Sequence, residues 1–247
     1  MSDRSRRINH EPVFLLTATP WRESSLRLEV FSREYGRVAL LARSARKRQS
    51  ELRGVLMPFV PVSASWYGSQ ELKTLHRAEW LGGWPQPKGR ALFSGLYINE
   101  LVYKMTARED AHPQLYDALY TVMQAVCCEA DHIAALRRFE WTLLSELGLA
   151  PDLKQDSDGL AIEAGQPYWL IPQHPVMPMR QVNAAVLSEG GIAVDGDVLA
   201  QLDAGVFASG TALQQALQIT RMFLDFYLPA GIKSRQVLQQ MQLFQTA

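Results

Sequence analysis

Residues 36–53 read GRVALLARSARKRQSELR, a short apolar strand that empties into the most basic loop of the chain. Val38, Leu40 and Ala42 alternate with Arg37, Leu41 and Arg43, the period of two expected of a half-buried β-strand. Beyond it come Arg43, Arg46, Lys47, Arg48 and Arg53 within eleven residues, with Glu51 as the only acid among them. Cations fixed at the end of a rigid strand suit a cradle for phosphates, because guanidinium groups release condensed counterions from a polyanionic backbone. A solvated surface loop has the same composition, and at this point both readings stand.

The same alternation extends on either side. Residues 13–19 read as a first strand and residues 26–31 as a second, with Leu26, Leu28 and Val30 on one face and Pro20-Trp21 as punctuation between the two. The third strand, residues 37–42, is entered through Tyr35-Gly36. Residues 56–67 carry Val60, Val62 and Ala64 on one face, with Pro58 and Pro61 confining the beginning to an edge or bulge. After a Gly68-Ser69 turn, residues 72–78 alternate again, Lys73, Leu75 and Arg77 lying opposite Leu72, Thr74 and His76. Five short strands in about 70 residues, with no helix-length pattern between most of them, predict a small barrel of the OB kind. Trp21, Tyr35, Trp66 and Tyr67 are its candidates for stacking on bases, or else for its core. Residues 1–9 read as a polar leader.

The period changes after the Gly- and Pro-rich stretch LGGWPQPKGR, residues 81–90. Leu92, Leu96, Leu101 and Met105, broadened by Tyr97, Ile98 and Val102, predict a helix buried on most sides. Pro113 opens a second helix with a stripe of Leu115, Leu119, Val122, Met123 and Val126. Asp131 is placed to cap a third, which runs through Leu136, Phe139, Leu143 and Leu147 to Gly148. Residues 150–191 read as irregular structure or a small hairpin around residues 168–171. Helices are expected over residues 197–202, 211–228 before Pro229, and 234–244 with Ser234 as N-cap. The expectation is an α+β chain: an OB-fold domain over residues 1–82, then a helical domain over residues 83–247 with an irregular segment at 150–191.

With 247 residues and 47% hydrophobic content, the chain can bury a substantial core. No run approaches the roughly 20 apolar residues of a membrane span, and MSDRSRRINHEP lacks an apolar signal region, so a cytoplasmic protein is expected. Cys127 and Cys128 are adjacent in an expected helix and read as reduced and packed. The net charge of zero conceals a division: residues 1–80 hold 14 Lys or Arg against 8 Asp or Glu, a surplus of 6, and the remainder holds 11 against 17. Polyanion binding belongs, on that ground, to the N-terminal part.

No catalytic signature is present: no Gly-rich phosphate loop followed by Lys and Ser or Thr, no dinucleotide fingerprint, no nucleophile elbow and no HExxH. The five histidines are scattered, and Asp156 and Asp158 beside Gly159 lack the further oxygen ligands of a calcium loop. A non-enzyme without cofactor or metal is therefore expected. Arg137 and Arg138 stand between Leu136 and Phe139 in the acidic half. They could grip an acidic peptide with an aromatic end, or pair with Glu140 or a neighbouring helix.

In their order along the chain, SSLRLEVFSREYGRVALLARSARK, SELRGVLMPFVP, ELKTLHRAEW, LFSGLYINELVYKM, LRRFEWTLLSELG and IKSRQVL resemble the RecO family of bacterial recombination mediators. The resemblance covers most of the chain, and LFSGLYINEL and LRRFE are its distinctive parts. It implies an N-terminal OB domain and a helical C-terminal domain. It further implies binding to single- and double-stranded DNA, annealing of complementary strands coated with single-strand-binding protein and, with RecR, loading of RecA in recombinational gap repair. Some members carry a four-cysteine zinc module; residues 148–179 here contain no cysteine, so no such site is expected. DNA contacts are expected at Arg37, Arg43, Arg46, Lys47, Arg48, Arg53, Lys73 and Arg77. The contact with the C-terminal tail of single-strand-binding protein maps onto Arg137 and Arg138, and a nucleoid association during repair follows from the role. Two other classes compete: a protein-binding adaptor without annealing activity, and a metal-independent hydrolase with a dispersed site.

Overall fold

The alternation around Val38 closes a barrel. The computed structural model describes residues 7–245, so the first six residues of the leader lie outside the described part. The strands are β1 (Arg7–Trp21), β2 (Ser25–Ser32), β3 (Gly36–Ala42), β4 (Pro61–Tyr67) and β5 (Leu72–Trp80), closed in the order β1-β2-β3-β5-β4. Only the β3–β5 pairing is parallel, Leu41 lying opposite Thr74. Every second residue points inward: Val13 and Leu15, Leu28 and Val30, Val38 and Leu40, Val62, Ala64 and Trp66 fill one core.

β1 is longer than its apolar run. It pairs with β4 by its first half and with β2 by its second, bending at register shifts between Ile8 and Glu11 and between Leu15 and Thr17. β4 starts at Pro61 rather than at residue 56, since the preceding residues form a turn in which Phe59 takes φ 71°. An inward acid helps to fix the β2–β3 hairpin: the buried Glu11 carboxylate accepts from Ser32 Oγ at 2.7 Å and from the Glu34 N–H at 2.9 Å.

Part of the barrel's outer face, at Phe14 and Phe31, is apolar and buried too, which its helices explain. α1 (Arg90–Met105) and α2 (Pro113–Cys128) belong to the same compact unit as the strands. Phe14 and Phe31 point outward and meet Tyr116 of α2 with ring centroids 5.4 and 6.4 Å apart. Asn99 of α1 donates to the Leu15 carbonyl at 3.1 Å. The buried stripe of α1 is Gly95, Ile98, Asn99 and Val102 with Leu101, whereas Leu92 and Leu96 are exposed, contrary to the stripe read from the leucines. Gly95 is the reason: a Cβ there would lie 3.0 Å from the Phe59 ring, so helix and barrel meet at the residue without a side chain. Gly36, at φ 63°, is fixed similarly, because any side chain would overlap the Asp110 backbone.

By packing, the chain divides into one unit up to Ala130 together with the residues from Ile232, and a second unit from Asp131 to Gly231. This differs from the change of period at residues 82–83, because α1 and α2 cover the barrel and α7 (Lys233–Gln245) returns to pack on α1. The N-terminus of α7 is capped by Glu100, which accepts from the Lys233 and Ser234 N–H groups at 2.8 Å each; Ser234 is not itself the cap.

The second unit contains α3 (Ile133–Glu146), the strands β6 (Pro167–Leu170), β7 (Met177–Pro178) and β8 (Ile192–Asp195) in the order β7-β6-β8, and α4 (Ala184–Ser188), α5 (Gly196–Ala204) and α6 (Gly210–Tyr227). Asp131 accepts from the Ile133 N–H at 3.1 Å, and Gly148 ends α3 at φ 67°. The segment read as irregular or as a small hairpin thus holds β6 and β7 of a three-stranded antiparallel sheet that β8 completes. No helix among the described residues is long and apolar enough to cross a membrane.

Candidate nucleic-acid interface

The β3–β4 connection turns its apolar residues in and its cations out. Ala45 is 3% exposed and joins the barrel core, and Leu52, Val55 and Leu56 pack against that core from a 3-10 turn at Glu51–Gly54. Ser44, at φ 56°, turns the chain, and the Lys47, Ser50 and Arg53 N–H groups close successive turns on the Ser44, Lys47 and Ser50 carbonyls. Arg46 fastens the loop to the β1–β2 hairpin: its N–H donates to the Ser24 carbonyl at 2.8 Å, and its Nη1 reaches the Arg22 and Glu23 carbonyls at 3.4 Å. A connection pegged at both ends holds its side chains on rigid backbone.

Arg43, Arg46, Lys47, Arg48 and Arg53 are all exposed. Among the described residues, Arg43, Lys47, Arg48 and Arg53 form no side-chain hydrogen bond or ion pair. Arg22, exposed at the hairpin that accepts Arg46, adds a sixth cation that sequence reading missed. Nothing in the spacing marked it, because the hairpin and the loop are neighbours only in space. Against these six, the two segments contain only Glu23 and Glu51.

The other expected contacts are placed differently. Arg37 is 14% exposed, pairs with Glu29 at 3.1 Å, donates twice to the Thr106 carbonyl and stacks over Tyr103. Glu29, 6% exposed, also takes Arg27 and Arg108. Lys73 is held by Glu109 and the Gln70 carbonyl, and Arg77 is exposed but sits on Glu79. Arg37 and Lys73 therefore tie the α1–α2 connection to the barrel and are not available as free cations. Of the stacking candidates, Trp66 is core, Tyr35 meets it edge-on at 5.6 Å, Trp21 is half-buried and Tyr67 is exposed. Trp80, 61% exposed at the end of β5, was not singled out from the sequence.

In the second unit, Arg137 is 7% exposed and pairs at 2.7 Å with Glu140, which is fully buried and accepts from Thr220 Oγ1 at 2.6 Å. Arg138 donates from Nε and Nη2 to the Gly205 carbonyl, beyond the C-terminus of α5, at 3.0 and 2.6 Å. Both arginines thus make internal contacts, Arg137 from a buried position and Arg138 from an exposed one. Burial and the adjacent Cys128 push the Cys127 thiol up to about 11, so it stays protonated at neutral pH. Among the described residues, no group of three or more His, Cys, Asp or Glu side chains could hold a metal ion.

A five-stranded barrel of this order, with a loop of outward cations at its end and a helical part after it, is an OB-type barrel of the kind that serves oligonucleotide binding. Family models narrow the class: Recombination protein O N terminal matches residues 8–84, and Recombination protein O C terminal matches residues 86–236. The chain is 66% identical over 238 residues to a DNA repair protein RecO of Neisseria meningitidis serogroup C, covering 96% of this chain and 90% of that one. It is 65% identical to one of Neisseria gonorrhoeae, covering 96% of each, and 42% identical over 242 residues to one of Aromatoleum aromaticum, covering 97% and 98%. The chain belongs to the RecO family.

Proposed function

We propose that this chain is a DNA-binding recombination mediator. It binds single- and double-stranded DNA through the β3–β4 loop, anneals complementary strands coated with single-strand-binding protein and, with RecR, promotes RecA loading in gap repair. The observation that carries the reading is the cluster Arg43, Arg46, Lys47, Arg48 and Arg53, outward and largely unpaired on a loop pegged to the barrel. Two nucleic-acid strands repel each other across a Debye length of about 8 Å at physiological salt. A fixed cationic ridge neutralises phosphates of both and lets the bases meet, so no bond need be made or broken. Contacts of this kind position the backbone without reading sequence.

The test is strand annealing by Arg46→Glu, Lys47→Glu, Arg48→Glu. The expected result is loss of annealing with an unchanged circular dichroism spectrum; normal annealing at moderate salt would remove the loop from the mechanism. Recruitment is assigned, on the family resemblance, to Arg137 and Arg138 and the acidic tail of single-strand-binding protein. Calorimetry with a peptide ending in acidic residues and Phe tests it, Arg138→Ala being expected to weaken the peptide while sparing naked DNA. Equal peptide affinity would remove that assignment.

A further inference from the structure

The basic loop borders an open cleft whose apolar floor phosphate neutralisation leaves unused. Its volume is about 310 Å3, and it is lined by Leu26, Ala45, Arg46, Leu52, Arg53 and Leu56. The floor is apolar, with Leu26, Leu52 and Leu56 only half-buried, and both charged residues lining it are arginines. Arg46 is fixed there by its hydrogen bonds to the β1–β2 turn, and Arg53 has no side-chain partner among the described residues. Small-ligand pockets begin at about 300 Å3, with apolar walls and a few placed polar groups.

We propose that this cleft holds one unstacked nucleotide of single-stranded DNA, the base against Leu26, Leu52 and Leu56 and its phosphate between Arg46 and Arg53. The inference rests on the DNA-binding reading above and adds to it a source of preference for single strands. A paired base is held in its stack and cannot enter, whereas a base in a single strand presents a flat apolar face to any such floor. Charge complementarity selects this occupant, since the residues lining the cleft carry two positive charges and no acid.

The test compares an oligothymidylate with an abasic strand of equal length. The unaltered protein should bind the base-bearing strand about tenfold more tightly, the scale of one base contact. Leu52→Gln with Leu56→Gln, which keeps charge and approximate size, should abolish that difference, since any loosening of the loop these residues peg weakens both strands alike. Equal binding of the two strands by the unaltered protein, or the same preference in a folded variant, would overturn the inference. So would binding in the cleft of an acidic Phe-ended peptide that the double variant loses while the preference for bases persists. Should the variant fail to fold, 5-iodouracil cross-linking on the unaltered chain decides: adducts within residues 43–56 or at Leu26 support the cleft, and adducts only elsewhere refute it. Absence of binding to either strand would overturn the DNA-binding reading itself, and this one with it.

Discussion

Two clusters of arginine in this chain have opposite fates. In the β3–β4 loop the apolar pegs Ala45, Leu52 and Leu56 turn inward and push the cations into solvent, so the charge faces outward and Arg43, Lys47, Arg48 and Arg53 form no ion pair among the described residues. On α3 the helical period carries Arg137 into the unit's interior, beside Leu136 and Phe139, where Glu140 neutralises it. The difference teaches that a run of cations is a surface only where the intervening apolar residues have somewhere else to go. Charge on the loop is available to a ligand; the Arg137 charge is part of the packing, while Arg138 on the same helix stays exposed.

That contrast is sharpest in stability. Arg137→Ala leaves the fully buried Glu140 uncompensated and should cost about 3–5 kcal/mol, read as a large fall in the urea midpoint. The loop triple reversal should move that midpoint hardly at all while weakening DNA binding about a hundredfold, since three attractive phosphate contacts become repulsive. If both sets destabilised equally, the division between ligand-facing and packing charge would be broken. Arg138→Ala comes next: it removes two hydrogen bonds to the Gly205 carbonyl from a more exposed side chain and should cost about 1 kcal/mol. It is therefore the cleaner probe of tail binding, free of the large folding defect expected of Arg137→Ala.

The smallest effect concerns a carboxylate that follows the α3 rule within the barrel's own unit. Burial works to raise the pKa of Glu100, but the hydrogen bonds from Lys104 and the Ser234 and Lys233 N–H groups outweigh it and hold the carboxyl at about 2. A group depressed on folding contributes stability that is present above its unfolded pKa, near 4.5, and is lost as pH falls toward 2. Acid titration of thermal stability should therefore show α7 loosening within that window, and Glu100→Gln should flatten that part of the profile.

Much of this was legible beforehand, and the gaps have physical causes. Alternation at Val38, Leu40 and Ala42 and at Val62 and Ala64 suffices to call a barrel, because the period of two is local. The first turns of the α1 stripe differ from the pattern because Leu92 and Leu96 outweigh a single Gly95, whose use appears only when Phe59 is brought against it; Ile98, Leu101 and Val102 are buried as expected. The cap of α7 is Glu100, more than a hundred residues away in the chain, and no local rule could name it. In the site, Arg43 to Arg53 were visible as composition. The pairing of Arg37 with Glu29 and of Lys73 with Glu109 was not, since each depends on which strand or connection lies alongside. Arg22 went unnoticed for the same reason.

The most direct measurement is the affinity for a single-stranded oligonucleotide across salt concentration, for the unaltered chain and for the Arg46, Lys47, Arg48 reversal. Each phosphate contact on a single strand contributes about 0.7 to the log–log slope, so losing three should lower its magnitude by about 2. Superimposable salt dependences for the two proteins would contradict the account.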